Sequence, residues 1–101
     1  MRAVKKEPGK LPEIVDIDNT LEALQDAVGG FIETLTFCED TTLIVNEEGR
    51  LLGLEHNLVF CGVPICGTAL VVGVDGDQFA GLTDDAAEFM CHALEEPGGS
   101  T

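Results

Sequence analysis

Residues Asp18 to Asn57 constrain the chain more than any other stretch, because they carry a helix start, a glycine exit, a β-rich run and a turn in unbroken order. Asn19 can cap a helix, and Glu22, three residues on, can reach back to complete a capping box. Leu21, Leu24 and Val28 recur at helical spacing, with Glu22, Gln25 and Asp26 on the opposite side. Gly29-Gly30 ends that helix, since glycine enters the left-handed conformation without a steric cost. A phosphate-cradling loop would precede a helix, whereas this pair follows one, so the turn reading outweighs a nucleotide site. Phe31 to Phe37 has strand composition, and Phe31, Leu35 and Phe37 share the parity expected to face the helix. Glu33 shares that parity for no evident reason. Thr41 to Val45 reads as the next strand, Asn46-Glu47-Glu48-Gly49 as a turn, and Arg50 to Leu54 as the returning arm of a hairpin. No catalytic motif accompanies these signals.

The flanking segments add layers to this centre. Arg2 to Lys6 and Pro12 to Ile17 read as two short strands around a Pro8-Gly9 turn. Glu39-Asp40 forms a polar turn. Between Leu58 and Cys66, Pro64 and the glycines favour an exposed loop or irregular hairpin. Thr68 to Val72 is continuously apolar, as expected of a central strand covered on both faces. Asp75-Gly76 turns the chain into a returning arm from Gln78 to Leu82. Thr83 then caps a second helix with Asp84 and Asp85 in its first turn. Ala86, Phe89, Met90 and Ala93 form its expected buried stripe, and Glu95-Glu96-Pro97 its stop. Residues 1–96 therefore read as one α+β domain, a mainly antiparallel sheet with two short helices packed on it, and residues 97–101 as a disordered tail.

Length and charge narrow the function classes. A chain of 101 residues buries roughly 65% of its unfolded surface in a single core and has no room for two. Nineteen acidic residues against five basic ones give a formal charge of -14, which repels phosphate and makes direct nucleic-acid binding unlikely. Arg2, Lys5, Lys6 and Lys10 lie together near the start, leaving Arg50 as the sole cation elsewhere. A solvated acidic surface accounts for this pattern more simply than a DNA mimic, because the carboxylates follow no phosphate-like spacing. The first ten residues carry positive charge without an apolar run, so neither a secretory signal nor a membrane anchor is expected there, and no stretch has transmembrane length. A cytoplasmic location follows, with the four cysteines reduced.

Candidate chemical constellations are weak. Cys61 and Cys66 lie five positions apart, and Cys91-His92 are adjacent on a helix, which directs their side chains about 100° apart. Neither has the paired spacing of structural zinc ligands, so the thiols read as small core residues. A labile Cys61–Cys66 pair across a Gly-Pro turn is the alternative. His56 lacks a nucleophile in a strained elbow, and Asp75-Gly76-Asp77 reads as a hairpin turn in preference to a calcium loop. Clustered carboxylates without Trp or Tyr platforms do not define a glycosidase. The expectation is no catalytic residue, cofactor or metal ligand. Arg50 either organises nearby carboxylates or covers Glu47 or Glu48 across the turn. Asn46, Arg50, Leu52 and Asn57 set unlike polar groups beside an apolar hairpin and are the candidate interaction surface.

The strings DIDNTLEALQDAVGGFIE, NEEGRLLGLEHN and GTALVVGVDGDQFAGLTDD, with the early EPGK, resemble the bacterial and phage family called domain of unknown function 3846. The resemblance runs from about Val4 to the second helix. It departs at the VFCGVPIC segment, where the family is more polar. It implies a small α+β domain of phages, plasmids and gut bacteria with no established activity. The reading that results is a non-enzymatic accessory protein of a bacterium or mobile element, monomeric or homodimeric, binding a protein or small ligand. Its rivals are a counter-defence protein that sequesters a host factor or nucleotide signal, a small thiol, carboxylate or metal-dependent enzyme, and an assembly subunit.

Overall fold

In a computed structural model, residues 1–38 and 40–95 are described. Along the chain run β1 (Arg2–Lys6), β2 (Glu13–Asp16), α1 (Leu21–Val28), β3 (Ile32–Cys38), β4 (Thr41–Asn46), β5 (His56–Phe60), β6 (Val63–Cys66), β7 (Ala69–Asp75), β8 (Gln78–Ala80) and α2 (Asp84–Glu95). The main sheet has the order β2-β1-β7-β4-β3, with β8 paired to the end of β7, and every pairing is antiparallel. The apolar run around Val71 is its central strand. Ala69 to Val72 are wholly buried, because successive side chains point to opposite faces and both faces are covered.

One face carries Ala3, Ile44, Leu70 and Val72 and is covered by Leu24 and Val28 of α1. The other carries Val4, Leu43, Val45, Ala69 and Val71 and is covered by α2 together with Leu58 and Ile65 of the β5–β6 hairpin. The fold is therefore α+β, with one helix on each side of the sheet.

Several local expectations change. The cap of α1 is Thr20, whose extended backbone lets Oγ1 accept from the Ala23 amide at 3.2 Å. Asn19 instead donates to the Phe79 carbonyl of β8. With Thr20 as cap, the third helical position is Ala23, so Glu22 cannot close a capping box. Leu21 faces solvent, and α1 buries Leu24 and Val28 alone. Gly29 does end the helix in the left-handed conformation, φ 80°, its amide donating to the Gln25 carbonyl.

The face assignment of β3 is reversed. Leu35 and Phe37 lie under the β5–β6 hairpin, where Phe37 meets Phe60 edge-on at 4.8 Å between ring centroids. Ile32 is the β3 residue that packs towards α1. Phe31 precedes the strand and is 66% exposed.

Arg50 to Leu54 is not a strand. Leu52 N–H donates to Glu48 O and Leu54 N–H to Gly49 O, so residues 47–53 wind through successive turns. The reason is topological: β4 is already paired on both sides, by β3 and β7, and has no edge for a returning arm. The hairpin of this region lies further on, between β5 and β6. Cys61 and Gly62 form its two-residue turn with φ of 51° and 81°, both positive as a type I′ turn requires. Cys61 occupies this turn and Cys66 the far end of β6, a separation of roughly 13–16 Å along an extended strand, which is beyond disulfide reach.

Thr83 caps α2 by accepting from Ala86 N–H at 3.1 Å. The buried stripe is Ala87, Met90 and Leu94, not one running through Phe89 and Ala93; Phe89 is 69% exposed. Spacings of three and four from Ala87 keep one line of contacts over Val4 and Val71, whereas Phe89 lies a third of a turn away. The Glu96-Pro97 stop, the tail at residues 97–101 and Glu39 of the polar turn lie outside the described residues.

Candidate functional site

The segment that fails to become a strand is the most distinctive surface of the molecule. Residues 47–53 leave β4 as a tight knot of turns, held at its root by Asn46. This side chain is buried; Nδ2 donates to the Val28 carbonyl at 3.1 Å, and Oδ1 accepts from Glu48 N–H at 2.7 Å. It thereby joins the last turn of α1, the end of β4 and the start of the loop. Gly30 passes so close that an added Cβ would sit 2.9 Å from Asn46 Nδ2. Further along, Gly49 lies against the end of β6, where an added Cβ would be 2.5 Å from the Cys66 carbonyl oxygen. The loop is thus held at its root by Glu47 N–H on Phe31 O and Glu48 N–H on Asn46, and its backbone packs closely on β6 at Gly49, while residues 50–53 are exposed.

Those side chains are unusual. Leu51 is 86% exposed and Leu52 57% exposed, and Phe31 stands nearby at the exit of α1. Two concavities flank the loop. A cleft of about 210 Å³ has Leu35, Val45 and Ile65 among its walls, with Glu33, Glu47, Glu48 and Arg50 also lining it. On the α1 side, a broader depression of about 550 Å³ is lined by Asp26, Gly30, Phe31, Asn46, Glu48 and Leu52 among others. Arg50 makes no ion pair among the described residues and is exposed.

The four residues singled out from the sequence are only partly brought together. Arg50 and Leu52 are exposed on the loop, on opposite concavities, and Asn46 underlies both as a structural link. Asn57 belongs to a different place. A bulge in β5 between His56 and Leu58 directs it towards β1, where Nδ2 donates to the carbonyls of Lys6 and Gly67, each at 2.8 Å, and Oδ1 accepts from Lys6 Nζ at 3.0 Å. Lys6 Nζ also donates to the Glu7 carbonyl. This bracket docks the β5–β6 hairpin on the sheet, and all its acceptors for the ammonium are neutral.

Burial consequently holds the Lys6 ammonium below the ordinary lysine pKa. Between the lowered folded value and the ordinary unfolded one, the unfolded chain holds more protons, so stability rises with pH across that alkaline window and falls again as pH drops through the folded value. The Cm for urea unfolding should therefore climb towards the ordinary lysine pKa in the wild type and lose that slope in Lys6→Met. An unchanged slope in the variant would assign it to another group.

Phe31, Leu51 and Glu33 were not recognisable as surface residues from composition. Strand parity alone puts Phe31 in the core, although its position directly after two glycines marks it as outside the regular ladder. Of the other chemistry-bearing residues, His56 is exposed at the start of β5 and Cys61 is exposed in its turn. Cys91 is half-buried on α2, and burial, followed by the charges of Glu95 and Glu88, pushes its thiol pKa up. It is thus kept in the weakly nucleophilic thiol form. Among the described residues, no three His, Cys, Asp or Glu side chains come together as a metal site, and no helix is long and apolar enough to cross a membrane.

A six-stranded antiparallel sheet with a helix on each face, a subsidiary hairpin and an acidic, partly apolar loop surface defines a small α+β domain. The chain belongs to the family described as Domain of unknown function (DUF3846), whose profile matches residues 1–95. No curated protein and no solved structure matches it.

Proposed function

We propose that this is a non-enzymatic accessory protein of a bacterium or mobile element, acting in the cytoplasm by binding another protein through the loop at residues 47–53 and the adjoining Phe31. The observation that carries this reading is the exposure of Phe31, Leu51 and Leu52 around one backbone-fastened loop. Large apolar side chains beside a concavity, held on a rigid support and rimmed by charge, have the anatomy of an interaction hot spot. The support means that little ordering entropy is lost on association.

Native mass spectrometry of the protein purified from its host lysate under reducing conditions tests this. The wild type and the exposed control Phe89→Ser should retain the same partner mass, whereas Phe31→Ser combined with Leu52→Ser should retain at least about tenfold less of it. Equal retention by the double variant overturns the reading, as does a stoichiometric metal or small ligand in place of a protein.

A further inference from the structure

The sheet ends in two edges of very different character. β2 has four residues and β3 has seven. Among the described residues β3 pairs with β4 alone. The register identifies which of its backbone groups point away. Glu47 N–H donates to Phe31 O at 2.8 Å, which makes Phe31 and Glu47 a hydrogen-bonded pair. In an antiparallel ladder such pairs alternate, so Glu33 and Leu35 direct their amides and carbonyls to β4. Ile32, Thr34 and Thr36 direct theirs outwards. The Thr36 and Thr42 hydroxyls approach to 3.3 Å, as expected of the closer, non-hydrogen-bonded pairs. Thr34 and Thr36 are exposed, and the strand carries neither Pro nor Lys to discourage pairing; its protections are a bulge between Thr36 and Cys38 and the charge of Glu33.

The cleft of about 210 Å³ opens beside this same edge, on the side carrying Glu33 and Leu35. A strand added next to β3 would place every second side chain on that side. There a long stem can lie along Leu35, Val45 and Ile65 while a cationic head reaches Glu33, Glu47 or Glu48, three carboxylates that outnumber the one cation lining the cleft, Arg50. A second copy of the chain offers no such head on a strand: its one exposed cation outside the ion pairs, Arg50, lies in the turns at residues 47–53 and lines that copy's own cleft. Arg2 is paired with Asp84, Lys5 and Lys10 are both paired with Glu7, and Lys6 is buried. Two copies also bring a formal charge of -14 each, which opposes association.

We infer that β3 is a docking edge for an extended, basic segment of a partner protein, which adds to the sheet as a further antiparallel or parallel strand and places a Lys or Arg in the acidic cleft. Main-chain pairing supplies affinity and the cleft supplies selectivity for the cationic side chain. The inference rests on the protein-binding reading above and names the chemistry of the partner.

The test uses the full chain, isotope-labelled, titrated with a synthetic peptide alternating Val and Lys and matched in length to β3. Hydrogen exchange at the Ile32, Thr34 and Thr36 amides should slow on addition, and binding should weaken with added salt. Glu33→Lys should weaken binding about tenfold by replacing attraction with repulsion. Thr34→Pro should weaken it by about tenfold or more, since it removes an outward donor while leaving the pairing to β4 intact. A peptide that does not bind, or that binds without protecting these amides, overturns the inference. If the natural partner still requires Phe31 and Leu52, the broader reading survives that result. Protection of the same amides in the peptide-free protein, accompanied by a dimer mass, overturns the choice of a basic partner in favour of a second copy.

Discussion

Asn46→Ala should lower the free energy of unfolding by about 3 kcal/mol, measured by urea denaturation. The estimate follows from what the side chain leaves behind. Truncation strands the Val28 carbonyl, whose bond to Asn46 is buried at the end of α1, and the Glu48 amide, whose bond is part-buried at the root of the loop. Two orphaned backbone groups at about 1–3 kcal/mol each exceed the modest net value of the hydrogen bonds themselves. Asn46→Asp is the sharper variant. Its carboxylate can still accept from Glu48 N–H but cannot donate to Val28 O, and it adds negative charge to the negative end of the α1 dipole. It should be no less damaging than alanine at neutral pH. A cost below about 1 kcal/mol for both variants would show that helix and loop are held independently of Asn46.

Gly49→Ala should cost a similar amount, about 2–4 kcal/mol, through overcrowding. The new Cβ would stand 2.5 Å from the Cys66 carbonyl oxygen, and a carbonyl at the end of a strand cannot swing away as a flexible side chain could. Either the loop lifts from β6 or the hairpin shifts on the sheet. For a chain of this size, the melting temperature should fall by about 10 °C or more. Gly29→Ala is the matched control. It has no atom within 4 Å of the added Cβ but a φ of 80°, so its cost should be only the left-handed penalty of about 1–2 kcal/mol. Gly49 is not among the left-handed glycines, so a loss no larger than that of Gly29→Ala would mean that the loop or β6 yields to the added Cβ at little cost.

These two residues also mark where sequence reading succeeded and where it stopped. Signals confined to neighbouring residues were legible: Gly29 as a helix exit, Asp75-Gly76 as a hairpin turn, Thr83 as a cap, and the unbroken apolar run of β7 as the centre of a sheet. Each depends on a few adjacent groups, and nothing elsewhere in the fold competes with it. Failures came where a distant element decided. Arg50 to Leu54 has the spacing of a returning strand, but β7 had already taken the edge of β4 that such a strand requires. The alternation of β3 is visible in the sequence, but its sense is not, because α1 lies on one side of the sheet and the β5–β6 hairpin on the other. Asn19 and Thr20 are both capable caps, and β8 decided between them by accepting from Asn19.

The candidate surface was legible to the same degree. Arg50 and Leu52 were recognisable because the turn residues before them imply a surface. Asn57 was not, since its partner Lys6 lies 51 positions away on β1 and its other acceptor, Gly67, lies beyond the β5–β6 hairpin. Asn46 lies at the root of the loop, and its buried amide is taken up by Val28 O and Glu48 N–H, partners that sequence spacing does not reveal. Phe31 and Glu33 became meaningful only when the edge position of β3 and the covering of its neighbours were known.

The position of β7 has a consequence for biosynthesis. It is the strand that both β1 and β4 require as a neighbour, yet it is formed by residues 69–75. During translation the β1–β2 and β3–β4 hairpins leave the ribosome as two ribbons with no shared interior, and two-stranded ribbons are marginal in water. Closure must await the strand that joins them. A nascent chain arrested before residue 75 has cleared the exit tunnel should remain sensitive to protease over its whole exposed length, and protection should arrive in a single step once β7 emerges.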